Sequence, residues 1–194
     1  MGRVLVDITM SLDGFVTGPG ADLAHGLGIG GEPLHDWIVG DDRTAADREA
    51  LDRTQAGVGA VLVGRRTFDF IDGPHGWPES TADEGRPPIF VVTSHKPARA
   101  RLDGFEFATD GIHQALERAQ DAAGDKDVMI MGGGHLCRQY LYAGLVDEVR
   151  IHLTPIVLGE GTPLFERTTI APVRLIQRDA AVTPAAAHLT YDVA

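Results

Sequence analysis

The chain has 194 residues, and 43% of them are hydrophobic, which is enough for one domain, residues 1–194, with a substantial core. Its 28 acidic and 17 basic residues give a net charge of −11, which disfavours a surface for nucleic acids or anionic membranes and leaves small molecules as the expected partners. The single cysteine, Cys137, excludes an internal disulfide and a cysteine-rich metal site, so we expect no metal and a reducing, cytoplasmic location, and no apolar run is long enough to span a membrane.

The first predicted strand, residues 4–10, leads into a long glycine-rich segment. Asp13 and Gly14 follow the strand and are typical of a turn. Residues 17–39 then show almost no periodicity and contain six glycines. A loop of this length inside a compact domain is usually a functional lid or a disordered segment, and the sequence leaves both interpretations open.

Three chemically distinctive residues lie near the end of this segment. His35 offers a proton carrier, Asp36 a carboxylate and Trp37 a large flat ring. A role for Trp37 at a substrate is one interpretation, and simple packing against the domain is the other.

A helix is predicted up to residue 55, with Thr44 as its N-cap and Asp47 completing a capping box. The next strand, residues 60–63, ends in Gly64-Arg65-Arg66-Thr67. Two guanidinium groups at the start of a helix, on an acidic protein, indicate an anion site. The alternative is one arginine exposed to water and one paired with a surface carboxylate.

Residues 70–87 are predicted to form a loop, and two strands follow at residues 89–92 and 105–109. The first of these strands ends in polar residues, Thr93-Ser94-His95-Lys96. After the second, Asp110 is predicted to cap a helix that ends at Gly124.

The most informative stretch is residues 127–141. An apolar strand, typical of a sheet covered on both faces, runs into Gly132, Gly133 and Gly134. The apolar residues that follow have the spacing of one helix face, so Cys137 is expected to be a buried thiol. Glycine lets a ligand approach the backbone closely, and the free N–H groups of the helix favour a phosphate. A plain tight turn is the alternative.

The C-terminal part of the chain is predicted to be mainly strands. Residues 148–158 form a long sixth strand, and residues 173–177 and 188–193 form two more. No helix lies between the last two, which indicates an antiparallel hairpin.

Alternating strands and helices predict an α/β fold with a mostly parallel sheet and helices on both faces. Ligands of such sheets bind beyond the carboxyl ends of the strands. Four polar or glycine-containing segments finish predicted strands and are expected to meet at that edge: residues 13–14, 64–67, 93–96 and 132–135. Their convergence predicts one ligand site.

With these segments placed, the sequence resembles the dihydrofolate reductase superfamily. It is most similar to the branch that contains the reductase domain of bacterial riboflavin biosynthesis, the RibD C-terminal-like branch. The resemblance rests on five groups of residues in the family's order: Ser11-Leu12-Asp13-Gly14, Val63-Gly64-Arg65-Arg66-Thr67, Val91-Val92-Thr93-Ser94, Met131-Gly132-Gly133-Gly134, and Leu153-Thr154-Pro155 with Gly159-Glu160-Gly161.

The resemblance implies a central sheet of about eight strands with a C-terminal antiparallel strand, and NADPH as the cofactor. Gly132, Gly133, Gly134 and His135, with Leu136 nearby, would hold the diphosphate. Gly64, Arg65, Arg66 and Thr67 would bind phosphate, Thr93, Ser94, His95 and Lys96 would surround the adenosine and its 2′-phosphate, and Val16, Thr17 and Gly18 would lie over the nicotinamide. The basic residues among these can neutralise the roughly two negative charges of a 2′-phosphate, so NADPH is expected over NADH.

The substrate half departs from the family. Dihydrofolate reductases hold the pteridine with a carboxylate at the start of the first helix, and no aspartate in residues 30–43 matches it. The riboflavin-pathway substrate carries a phosphate, yet residues 18–42 contain no lysine or arginine. The expected reaction is therefore hydride transfer to a small heterocyclic, carbonyl or imine compound, pterin- or pyrimidine-like, whose identity the sequence does not give.

For proton delivery, Asp13 is the first candidate to orient the substrate or a relaying water, and its alternative role is to bond the turn at Gly14. His35 and Asp36 are second candidates if the glycine-rich segment closes as a lid, with Trp37 at the substrate. A non-catalytic NADP(H)-binding or sensing domain would share the same cofactor site. The resemblance also implies a homodimer, with an apolar contact from residues 151–158, Leu164 and Phe165.

Overall fold

A computed structural model of the chain describes residues 2–74, 76–77, 85–166 and 171–194. The strands are β1 (Val4–Ser11), β2 (Phe15–Thr17), β3 (Val58–Gly64), β4 (Ile89–Val92), β5 (Phe105–Ala108), β6 (Asp127–Gly132), β7 (Glu148–Thr154), β8 (Thr162–Pro163), β9 (Leu175–Val182) and β10 (Ala187–Val193). The helices are α1 (Asp36–Val39), α2 (Ala45–Ala56), α3 (Arg65–Ile71), α4 (Ile112–Ala123) and α5 (Gly134–Tyr142), and a 3₁₀ turn spans Glu32–His35.

Within the described residues, eight strands form one sheet in the order β5-β4-β3-β6-β1-β7-β10-β9. The strands from β5 across to β7 are parallel, and β10 pairs antiparallel with both β7 and β9. This is the predicted mostly parallel sheet with an antiparallel C-terminal strand, and that prediction is confirmed. Since β1, β3, β4 and β6 run in the same direction, their carboxyl ends lie at one edge.

Both faces of the sheet are covered, and alternate residues of β1, which point to opposite sides, belong to different cores. Val4, Val6 and Ile8 belong to a core shared with α4 and α5. Leu5 belongs to a second core with Phe68 of α3. Cys137 is 2% exposed on the buried face of α5, as predicted, and burial raises the pKa of its thiol to about 12.

The helix starts agree with the predictions at α2 and disagree at α4. At α2, the Thr44 hydroxyl accepts the N–H of Asp47, and the Asp47 carboxylate accepts the N–H of Thr44, as expected for a capping box. The prediction that Asp110 caps α4 is wrong. This helix begins one residue later, with Gly111 at the cap position, so the Asp110 side chain lies outside the first turn.

The C-terminal strands differ in length from the predictions, and one pair of strands was not predicted. The sixth strand ends at Thr154 instead of residue 158, since Pro155 follows and cannot donate to a ladder. The first strand of the hairpin is Leu175–Val182 instead of residues 173–177. Its side chains are mostly exposed and show no apolar pattern, so the sequence did not indicate its bounds. The short pair β2–β8 was not predicted.

Two segments predicted as loops contain helical structure. Residues 32–39 form the 3₁₀ turn and α1, and Phe70 with Ile71 completes α3. Within the predicted loop 70–87, residues 75 and 78–84 lie outside the described residues. No helix in the described part of the chain is long and apolar enough to cross a bilayer.

The predicted apolar dimer contact is only partly available at the surface. Ile151 and Leu164 are 6% and 2% exposed and belong to the core, so their assignment to a contact surface is wrong. Val157 and Phe165 are 69% and 43% exposed. The homodimer itself stays a prediction.

Candidate functional site

The glycine turn between β6 and α5 lies at the carboxyl edge of the sheet. Gly132 has φ +133°, a conformation that residues with a side chain rarely adopt. The peptide bond from Gly132 to Gly133 is cis. A Cβ on Gly134 would stand 2.9 Å from the carbonyl oxygen of Pro163 and 3.1 Å from Val16 Cγ2. The turn thus brings β6, β8 and the residues after β1 into close contact.

The junction between β3 and α3 lies directly against this turn. The Cβ position of Gly64 is 3.7 Å from the backbone nitrogen of Gly133 and 3.6 Å from Leu136 Cβ. The hydroxyl oxygen of Thr67 is 3.5 Å from the Cβ position of Gly133. Two of the four predicted segments, residues 64–67 and 132–135, therefore meet. His135 is exposed on the first turn of α5, with its ring nitrogen 3.3 Å from Gln139 Nε2.

The third predicted segment, residues 93–96, meets α3 through Arg65. Arg65 donates from Nη1 to the carbonyl oxygen of His95 over 3.0 Å and from Nε to Asp69 over 2.7 Å. The same carbonyl accepts the Thr93 hydroxyl, and the His95 ring lies 2.9 Å from the hydroxyl oxygen of Ser94. Arg65 therefore joins two segments and is paired with Asp69, while Arg66 is exposed; these are the contacts of the alternative interpretation for the arginine pair.

Arg66 and Lys96 remain available for an anion. Both side chains are exposed, and neither has an ion-pair partner among the described residues. Lys96 Nζ lies 5.7 Å from the centre of the Phe107 ring. An open groove of about 380 Å³ is lined by Arg65 and Pro97, the chain neighbours of Arg66 and Lys96, together with Leu23, Phe68, Asp69 and Arg99, among others.

Val16, Thr17 and Gly18 follow β1 and lie beside the glycine turn. Val16 is buried against Gly134, and Gly18 donates its N–H to Leu27 O over 2.7 Å. The hydroxyl oxygen of Thr17 is buried and has no hydrogen-bond partner in the described part of the chain. A buried polar atom without a partner is costly, so this atom is suited to a polar group of a ligand.

The glycine-rich segment that follows is folded against its neighbours. Ile29 donates its N–H to Pro19 O over 2.8 Å, and Gly26 lies against the ring of Phe70 in α3. The segment therefore reaches from β2 to α3, across the same edge of the sheet. Whether it opens and closes as a lid stays a prediction.

Asp13 is held by three donors. Its carboxylate accepts the Ser11 hydroxyl over 2.6 Å and the N–H groups of Leu158 and Gly159 over 3.1 and 2.6 Å. These bonds, first of all that from Ser11, lower the pKa of Asp13, so it is ionised at neutral pH. They favour a role in joining the turn after β1 to the loop after β7, whereas a catalytic role stays a prediction.

The other catalytic candidates are separate from Asp13. No hydrogen bond joins Asp13 to His35 or Asp36 within the described residues. His35 is largely buried, which lowers the pKa of its ring, and Asp36 is exposed. Trp37 is 3% exposed and donates its indole N–H to the Thr9 hydroxyl over 3.0 Å. Of the two interpretations of Trp37, these contacts match packing against the domain.

A buried polar cluster on β1, β7, β10 and α2 was not predicted from the sequence. It contains Asp7, Asp47, His152 and His188, and Trp37 stacks on it. The available signal was Asp7 and Thr9 alternating with apolar residues in β1, which indicates a polar stripe on one face. Their partners are too distant in sequence to be paired with them by pattern alone.

Comparison with known proteins gives a family match. The RibD C-terminal domain family matches residues 3–188. The protein YyaP of Bacillus subtilis (strain 168), which carries no functional name, is 28% identical over 169 residues, covering 84% of this chain and 80% of that protein. The riboflavin biosynthesis protein RibD of Corynebacterium ammoniagenes is 31% identical over 136 residues, covering 64% of this chain but only 38% of its own length.

Solved structures show the same fold. A putative riboflavin biosynthesis protein from Shewanella sp. PV-4 superimposes with a TM-score of 0.70 at 21% identity, over 99% of each chain. A dihydrofolate reductase from Enterococcus faecalis, complexed with NADP(H), superimposes with a TM-score of 0.61 at 16% identity, over 99% of this chain and 96% of that one. At these identities the likeness concerns the fold.

Proposed function

Because the chain belongs to the RibD C-terminal domain family, we propose that it is an NADPH-dependent reductase of a small heterocyclic, carbonyl or imine compound. The observation that carries the proposal is the meeting of several strand ends around the glycine turn 132–134. This arrangement offers close backbone approach, free basic side chains and an unpartnered hydroxyl at one edge, which are the features that a phosphorylated dinucleotide requires.

The residues fit the cofactor in three parts. Gly132, Gly133 and Gly134 present backbone without side chains at the start of α5, where the helix favours the diphosphate. Arg66 and Lys96 would neutralise the 2′-phosphate, a role that Arg65 shares only in part because Asp69 already balances it. Thr17 Oγ1 would bond the carboxamide of the nicotinamide, and Val16 would pack on its ring.

Bound NADPH would supply the hydride. The chain would hold the nicotinamide and the electron-poor carbon of the substrate in near-attack geometry, and the glycine-rich segment would exclude water. The ionised Asp13 would orient the substrate or a water that delivers the proton to the reduced centre. A homodimer belongs to the same proposal, with Val157 and Phe165 as the exposed apolar residues.

The preference for NADPH over NADH tests the assignment of Arg66 and Lys96 to the 2′-phosphate. By titration calorimetry we expect NADPH to bind more tightly than NADH, and Arg66→Ala and Lys96→Ala to weaken NADPH while leaving NADH unchanged. A charge-assisted contact is worth about 1.5–3 kcal/mol, and exposure to water reduces this value. Each variant is therefore expected to lose about tenfold in NADPH affinity. Lys126→Ala, at the other lysine of the chain and at the opposite end of β6, is the matched control. Equal binding of both dinucleotides by the unmodified protein would refute the assignment.

A non-catalytic NADP(H)-binding domain is the second candidate. It is favoured by the engagement of Asp13 in three hydrogen bonds and by the packing of Trp37 inside the fold. Oxidation of NADPH, followed by its absorbance, with a panel of dihydropterins, pyrimidinediones and quinonoid carbonyls separates the two. Turnover with any of them supports the reductase, and tight NADPH binding without turnover on the whole panel supports the binding domain.

A further inference from the structure

Two histidines face each other inside the fold, away from the proposed cofactor residues. His152 of β7 and His188 of β10 are directly opposite in register and are 3% and 5% exposed. Their Nδ1 atoms are 2.7 Å apart. The Nε2 atom of His152 is 3.2 Å from Asp7, and that of His188 is 2.9 Å from Asp47.

These distances constrain the number of protons that the pair holds. Asp47 is ionised, because hydrogen bonds from Thr44, His188 and Thr183 hold its pKa at about 2 despite burial, so His188 must donate from Nε2. The side chain of Asp7 accepts the hydroxyl of Thr54 and faces His152 Nε2, so a carboxylate at Asp7 requires an N–H at that nitrogen. One more N–H is needed between the two Nδ1 atoms, since two lone pairs at 2.7 Å would repel. With both aspartates as acceptors, the four ring nitrogens would carry three protons, and the pair would have one positive charge.

The surroundings place that charge on His152. The Trp37 ring stacks on His152 with centroids 4.0 Å apart and planes at 28°, and the face of an indole attracts a cation. His188 meets Trp37 only edge-on. Its pKa is lowered, first by burial and also by the charges of His152 and Arg53, and only the contact with Asp47 opposes this.

The other charges near the pair are already paired. Arg53 of α2 bonds Asp179 of β9, and Arg150, two residues before His152 on β7, bonds Glu148. Asp7 and Asp47 are thus the anions that face the two rings directly. An imidazolium at His152 would lie between a carboxylate, a neutral imidazole and an indole.

We propose that His152, held as an imidazolium, is a positioning residue that fixes the indole of Trp37 against β1. Trp37 in turn fixes α1 and the end of the glycine-rich segment, since its N–H bonds Thr9 two residues before the end of β1. The claim that the position of Trp37 shapes the substrate site rests on the proposed function. The protonation of His152 and its stacking on Trp37 are independent of that function.

The protonation state is measurable without any ligand. Nitrogen-15 spectra of the unmodified protein at pH 7 should show both ring nitrogens of His152 protonated and one of His188. Two neutral rings would overturn the proposal. This measurement needs no variant, so it stands even where a substitution prevents folding.

The positioning of Trp37 is tested by fluorescence in a Trp77→Phe background, where Trp37 is the only tryptophan. A stacked imidazolium quenches indole emission, so we expect emission to rise as the pH is raised and the shared proton leaves. Asp7→Asn should lower the midpoint of this rise by about one pH unit or more, since a neighbouring opposite charge shifts a protonation equilibrium by about 1–3 units. His152→Gln should raise emission at pH 7 and remove its pH dependence.

His113→Gln, at an exposed position of α4, is the control and should leave the titration unchanged. An emission curve that is flat with pH, or a midpoint that does not respond to Asp7→Asn, would overturn the positioning role. If the titration behaves as expected and no compound of the substrate panel is reduced, the reductase proposal alone fails.

Discussion

At Ser11 and Asp13, two short side chains determine how the end of β1 is connected. The buried Ser11 hydroxyl accepts the N–H of Phe15 and donates to Asp13, while Asp13 accepts two N–H groups from the loop after β7. One carboxylate thereby holds two loops at the carboxyl edge of the sheet. A structural role and a catalytic role for Asp13 predict different consequences of the same substitution.

Asp13→Asn separates these roles. If Asp13 orients the substrate or a water, turnover should fall by about 10²–10⁴-fold, the usual contribution of such a group, with NADPH affinity nearly unchanged. If Asp13 only holds the loops, NADPH affinity should fall together with turnover. Steady-state kinetics and calorimetry on the same preparation measure both.

The pH dependence of stability gives an independent measure of the Asp13 contacts. Its pKa is lowered in the folded state from 3.8, so its contribution is present above that value and is lost as the pH falls towards the folded pKa. The difference in Tm between the unmodified protein and Asp13→Asn should therefore be constant from pH 7 to pH 5 and narrow below about pH 4. A difference that grows on acidification would contradict this account.

At the scale of single elements, buried parallel strands were predictable because each is a short apolar run closed by glycine or polar residues. β6 and its glycine turn are the clearest case, since Val128 to Ile130 are buried and Gly132 requires a positive φ. β9 lacks such a pattern because it is exposed, and β2–β8 is too short to have one. Periodicity predicts an element only where one face is buried.

The packing of α5 on β8 gives a prediction at this scale. Arg138 of α5 donates to the carbonyl of Pro163 and pairs with Glu166 over 2.7 Å, which brings the two elements together at Gly134. A Cβ on Gly134 would meet that carbonyl at 2.9 Å, and backbone there cannot move freely. Gly134→Ala should lower the free energy of unfolding by about 1–3 kcal/mol, as overpacking usually does, measured by urea denaturation.

Gly64→Ala is the control for Gly134→Ala. Its added Cβ would meet its nearest neighbours at 3.6–3.7 Å, which is ordinary contact, and its φ of −79° suits alanine. The free energy of unfolding should change little. NADPH affinity should nevertheless fall if phosphate approaches this junction, so the two variants separate packing from binding.

At the scale of the whole molecule, the cluster of Asp7, Asp47, His152 and His188 joins parts of the chain that no local pattern connects. His152 and Asp7 are 145 residues apart, and His188 and Asp47 are 141 residues apart. The sequence predicted the three strands and the helix that carry these residues but contained no signal for their pairing. The site at the sheet edge was more predictable, because each of its segments follows its own strand.

The cluster should also make stability fall on mild acidification. The pKa of His188 is lowered in the folded state, as is that of His35, so below the unfolded value of 6.5 the unfolded chain binds more protons. The free energy of unfolding should therefore decrease from pH 6.5 towards pH 5, by at most about 1.4 kcal/mol per pH unit for each histidine. A fourth proton on the pair would set two N–H groups against each other at 2.7 Å.

His188→Gln keeps an N–H for Asp47 and removes the titrating ring, so urea denaturation at pH 5, 6 and 7 should give a shallower dependence on pH. Adding His35→Gln should flatten it further, since burial lowers the pKa of that ring independently. His113→Gln, at an exposed position, should keep the slope of the unmodified protein. If the slope is unchanged in His188→Gln, the paired rings take up the fourth proton as readily as the unfolded chain does. That result would contradict the expectation that two facing N–H groups exclude a fourth proton.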